Sequence, residues 1–85
     1  MRIYMQTQYF PDEPIRFYHL HLQPDLLGGW ALVREVGLQG GRGRITKEYF
    51  EQREEAEERL IQRRDAQLNR GYRVVFREGV LKSEE

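Results

Sequence analysis

From Arg53 to Arg70 the chain runs 18 residues without a glycine or proline, and Glu, Arg, Gln, Leu and Ala dominate the run. These residues favour helix, so the segment predicts one long helix with Gly71 as its C-terminal stop. Such a helix is about 27 Å long. Ala56, Leu60, Ile61, Arg64 and Leu68 recur at helical spacing and mark the stripe expected to face the rest of the fold. The chain has 85 residues, enough for one small domain, so residues 1–85 are read as a single unit. Whatever covers that stripe must come from the remaining segments, and those read as strands.

Between Arg2 and Tyr9, Ile3, Met5 and Thr7 alternate with Tyr4, Gln6 and Gln8 until Pro11-Asp12-Glu13-Pro14 breaks the pattern. Ile15 to Leu22 puts Tyr18, Leu20 and Leu22 on one face and Phe17, His19 and His21 on the other. A loop with Pro24 and Gly28-Gly29 leads to a third strand, Trp30 to Val36. Trp30 is the only tryptophan and is expected in the core, since one Trp buries about 150–250 Å². Gly37, Gly40, Gly41 and Gly43 mark a loop that needs unusual backbone angles. Arg44 to Phe50 follows as a strand, with Ile45, Lys47 and Tyr49 opposite Thr46, Glu48 and Phe50, and Tyr72 to Phe76 closes the fold. The expected architecture is α+β: an antiparallel sheet of four to five strands with one helix on one face. Residues 79–85 are expected to form a flexible tail.

Fourteen basic and fourteen acidic residues give zero net charge, which on its own disfavours a nucleic-acid partner. The charges are segregated, however. Residues 34–47 hold four bases against one acid, a net of +3; residues 48–58 hold six acids against one base, a net of −5. Residues 59–77 hold six arginines against one aspartate, a net of +5. Helix electrostatics accounts for acids at the helix start and bases at its end. It does not account for the basic segment 34–47, which precedes the helix.

The residues offer little for catalysis. There is no cysteine, and the only serine is Ser83 in the expected tail, so thiol nucleophiles, disulfides and serine triads are excluded. The glutamates of 48–58 read as a solvated helix face, and no enzyme activity or cofactor is expected. His19 and His21 share a face, but no third ligand accompanies them and no metal site is expected. No apolar run approaches the roughly 20 residues that span a bilayer, and the N-terminus does not open as a signal peptide, so a cytoplasmic location is expected. The loop Gly37 to Arg44 lacks the Gly-Lys-Ser/Thr ending of a nucleotide-binding loop. Its close-approach amides and two arginines suit a phosphodiester, and they equally suit a solvated hairpin loop.

Arg16-Phe17-Tyr18-x-Leu20-x-Leu22, Gly28-Gly29-Trp30-x-Leu32-Val33-Arg34-Glu35, Gly37-x-x-Gly40, Glu54-Glu55-Ala56 and Gly71-Tyr72-Arg73 occur in an order and spacing that resembles the WGR domain. The resemblance covers roughly residues 15–73. It implies an antiparallel sheet carrying one helix, as in poly(ADP-ribose) polymerases, proteins related to the molybdate-metabolism regulator and stand-alone bacterial proteins. It also implies a non-catalytic module that binds DNA or other nucleic acid. Candidate contacts are Arg34, Gly37, Arg42, Arg44, Lys47 and Arg73. At the positions of the family's Trp-Gly-Arg triplet this chain has Val36-Gly37-Leu38. Neither Val36 nor Leu38 can supply the polar contact of the family arginine, so the alternative is a protein-interaction or homodimerisation module with Val36 and Leu38 in its apolar patch.

Overall fold

The computed structural model describes residues 1–81. Six elements follow in order: β1 (Arg2–Thr7), β2 (Arg16–Pro24), β3 (Trp30–Leu38), β4 (Arg44–Phe50), α1 (Arg53–Asn69) and β5 (Tyr72–Glu78). All strand pairs are antiparallel, and the sheet order is β4-β3-β2-β1-β5. With α1 packed on one face, this is the expected α+β architecture, with five strands.

The first four strands are neighbours, but β5 pairs with β1 at the edge farthest from β4. Four inter-strand steps span about 19 Å. The 17 residues of α1 reach about 26 Å, so one helix laid across the sheet carries the chain from one edge to the other. The β2–β3 turn is pinned at Gly29, whose φ is 80°. A Cβ there would sit 2.5 Å from the Phe50 carbonyl oxygen, so no side chain fits between this turn and the end of β4.

Register builds the core. Ile3 faces Leu20, Met5 faces Tyr18 and Leu22 faces Leu32, all buried under the helix. The helix answers with Ala56 and Leu60, both 0% exposed. Trp30, expected in the core, is instead half-buried at its edge, with the Arg53 guanidinium 5.4 Å over its ring. Arg53 also ion-pairs with Glu57 at 3.2 Å, which allows Glu57 to be buried at the helix–sheet contact.

Two further expectations change. In the helix stripe Gln67 is buried while Leu68 is 42% exposed. Gln67 lies two turns beyond Leu60 and stays within about 20° of it around the axis, whereas Leu68 is about 80° away. The chain also stays anchored beyond residue 78. Leu81 is 2% exposed within the core, and the Arg53 guanidinium donates to the Val80 carbonyl at 3.4 Å. Leu81 thus seats this end of the chain in the core, although Gly79 and Val80 before it are exposed; residues 82–85 lie outside the described residues. Among the described residues no helix is long and apolar enough to cross a membrane.

Candidate functional site

On the helix-covered face, alternation along β3 puts Arg34 between Leu20 of β2 and Thr46 of β4. Its Nε donates to Thr46 Oγ1 at 3.0 Å, which holds the guanidinium in place. From above, α1 presents Arg59, Arg63 and Arg70, spaced i, i+4 and i+11 and therefore within about 40° of one another around the helix axis. Together with Tyr18, Gln62, Ala66 and Gln67 these four arginines line an open cleft of about 390 Å³ between α1 and the sheet.

One carboxylate is paired with this group. Glu48 of β4 accepts from Arg59 at 2.6 Å and from Arg63 Nε at 2.9 Å, so it orients two guanidinium groups and offsets one charge. Four arginines against one glutamate leave a net of +3. Arg70 makes no side-chain hydrogen bond or ion pair among the described residues. Tyr18 contributes a second unanswered polar group: the residue is 3% exposed, and its hydroxyl has no hydrogen-bond partner among the described residues. A buried hydroxyl left unpaired costs about 1–3 kcal/mol. The cleft therefore has free donors and a positive field, which is the chemistry of an anion site.

The structure divides the residues singled out from sequence. Arg34 lines the cleft. Arg44 is exposed on the same face, in a cross-strand row with Val36 and Tyr18. Arg42 lies in the β3–β4 turn, at the end of the molecule where α1 terminates. Gly37 plays a packing part: a Cβ there would lie 3.1 Å from the Arg42 carbonyl and 3.2 Å from the Phe17 ring. Lys47 and Arg73 are elsewhere. Lys47 is Val33's partner and points to the uncovered face, and Arg73 pairs with Gln6 on that same face at the opposite edge. Local sequence grouped these cations, but strand alternation separates them. Arg59, Arg63, Arg70 and Tyr18 were missed as a site. The common helical face of the three arginines was the available signal, but nothing local shows that Arg34 and Tyr18 lie beneath it.

The stretch Val36-Gly37-Leu38 lies next to the cleft residue Tyr18. Val36 is the cross-strand partner of Tyr18 and is half-buried against the core, and Leu38 is exposed. Charge also differs between the two ends of the strands. The end that holds the β3–β4 turn and the helix C-terminus carries Arg16, Arg42, Arg44 and Arg70 beside Asp12 and Glu13. Glu51, Glu54, Glu55 and Glu58 sit where α1 begins.

The two histidines lie on the uncovered face, with ring planes 1° apart. Both are held below their ordinary value of 6.5: His19 by burial and then by the Arg2 cation, with Glu35 opposing; His21 by burial, then Arg2, the N-terminal amine and His19, with Glu78 opposing. A lowered folded-state pKa means the unfolded chain binds more protons just below pH 6.5, so stability falls as pH drops from 6.5 toward the folded values. Urea midpoints at pH 7.5 and 5.5 should drop less for the double variant His19→Gln/His21→Gln than for wild type. An equal drop in both would refute the assignment. Among the described residues no three His, Cys, Asp or Glu side chains converge as a metal site.

Comparison with protein-family models, with curated proteins and with solved structures finds no match.

Proposed function

We propose that the chain is a non-catalytic nucleic-acid-binding module of the WGR type that takes the DNA phosphate backbone in its arginine cleft. The observation that carries the reading is the convergence of Arg34, Arg59, Arg63 and Arg70 around an unpartnered Tyr18 hydroxyl. Planar guanidinium groups match phosphate oxygens in pairs, and a phosphate oxygen is an acceptor for the hydroxyl. Arg44, exposed farther along the same face, extends the track by one contact. The acidic start of α1 turns away like-charged backbone and so orients the approach.

The competing reading, an interaction module built on Val36 and Leu38, has less support. Val36 is already packed against the core, which leaves Leu38 as the only exposed aliphatic of the pair.

With about three phosphates neutralised, log K for duplex DNA should fall against log[salt] with a slope of about −3. A fluorescence titration across salt concentrations checks this. Absence of binding at low salt, or a slope near zero, would refute the reading.

A further inference from the structure

We infer that the sheet face opposite α1 is a second binding surface, which takes a single nucleic-acid strand by stacking its unpaired bases on an aromatic band. The inference is independent of the cleft, which lies on the other face.

Register arranges the uncovered face in rows across the strands. The middle row runs through Phe76 of β5, Tyr4 of β1, His19 of β2 and Glu35 of β3, successive cross-strand partners. Tyr4 stacks on Phe17 with ring centroids 5.8 Å apart and lies 5.7 Å from His19; His19 stacks in turn on His21 at 6.5 Å. These four rings form one connected cluster in which Phe17 is buried and Tyr4, His19 and His21 are half-buried; Phe76, beside Tyr4 in the row, is 51% exposed at the rim. Among the described residues no helix or strand covers it.

Cations flank the band on both sides. The next row toward one end of the strands carries Glu78, Arg2, His21, Val33 and Lys47; the next row toward the other end carries Arg73, Gln6, Phe17 and Gly37. Rows two residues apart along a strand are about 7 Å apart. Lys47 and Arg73 make no side-chain hydrogen bond or ion pair among the described residues. An aromatic band bordered by three cations, Arg2, Lys47 and Arg73, against two carboxylates, Glu35 and Glu78, complements a polymer that offers a π-face and a phosphate at every nucleotide. A duplex keeps its base faces stacked inside and cannot use such a band. A second copy would bury Arg2, Lys47 and Arg73 from each protomer with only Glu35 and Glu78 to answer them, so the band fits a polyanion better than itself.

The test uses labelled oligo-dT and oligo-U of roughly 12 nucleotides, with a blunt duplex as the probe of the cleft. Wild type should bind a single strand. Phe76→Ser, which replaces a half-exposed ring at the rim, should weaken that binding about tenfold and leave duplex binding within about twofold. Arg73→Glu removes no ring and should weaken single-strand binding about fivefold, with thermal melting unchanged. Arg34→Gln/Arg70→Glu should show the reverse selectivity. Single-strand binding that persists where the duplex is not bound supports this surface and refutes the cleft. The inference is overturned if neither strand binds, if Phe76→Ser and Arg73→Glu leave binding unchanged, or if the cleft variant abolishes it. A dimer seen by light scattering that Phe76→Ser dissolves would also overturn it, since the band would then be a self-interface.

Discussion

Replacing Leu60 by alanine should cost about 3–4 kcal/mol of stability, the largest loss expected from a single substitution in the helix. Leu60 is 0% exposed at the contact between α1 and the sheet, so truncation loses the transfer energy of its methyl groups and leaves a cavity the surroundings fill only in part. A domain of this size has about 4–13 kcal/mol in total, so the variant sits close to unfolding at ordinary temperatures. Its melting temperature should fall by about 15–20 °C, and its urea midpoint should fall with little change in slope. Leu68→Ala is the matched control. That side chain is 42% exposed, and its loss should cost under about 1 kcal/mol. Equal costs at the two positions would mean that α1 packs through a different face.

These two leucines show how far the sequence carries. Both satisfy helical spacing, and the apolar pattern ranks them alike. The seated residue is instead Gln67, because position around the axis, rather than side-chain polarity, decides which residue meets the sheet. Alternation within strands was more informative: Tyr18, Leu20 and Leu22 do face the helix, and Phe17 and His19 do meet Tyr4 on the other side. The same alternation already separated Lys47 from Thr46 and Glu48, so its parting from Arg44 follows from a period of two. Grouping cations by nearness in sequence overrode that signal. Two features were not legible at all. The pairing of β5 with β1 joins residues about seventy positions apart, and no local propensity encodes that register. The cleft likewise depends on a sheet residue, Arg34, lying under helix residues placed there by the crossing of α1. Leu81 is a smaller case of the same kind: a single apolar residue near a charged terminus has no periodic partner, yet it fills a gap in the core.

Charge removal in the cleft should have the largest effect on binding: Arg34→Gln combined with Arg70→Glu is expected to weaken duplex DNA binding about 100-fold at low salt. Each lost charge-assisted hydrogen bond is worth about 1.5–3 kcal/mol, and 1.4 kcal/mol is a factor of about ten. The salt slope should also become shallower by about two, since two fewer phosphates are neutralised. Tyr18→Phe then separates an anion site from a patch of surface charge. In wild type the buried hydroxyl has no partner among the described residues, so its removal should leave the unliganded protein as stable as before or more stable by about 1 kcal/mol. If a phosphate oxygen is that missing partner, affinity should nevertheless fall about fivefold to tenfold. A hydroxyl with a structural role would lower stability when removed, and one with no role would leave both quantities unchanged. Opposite movement of stability and affinity is expected only if the cleft holds the hydroxyl in reserve for a ligand, and isothermal titration alongside thermal melting of the same two proteins measures both.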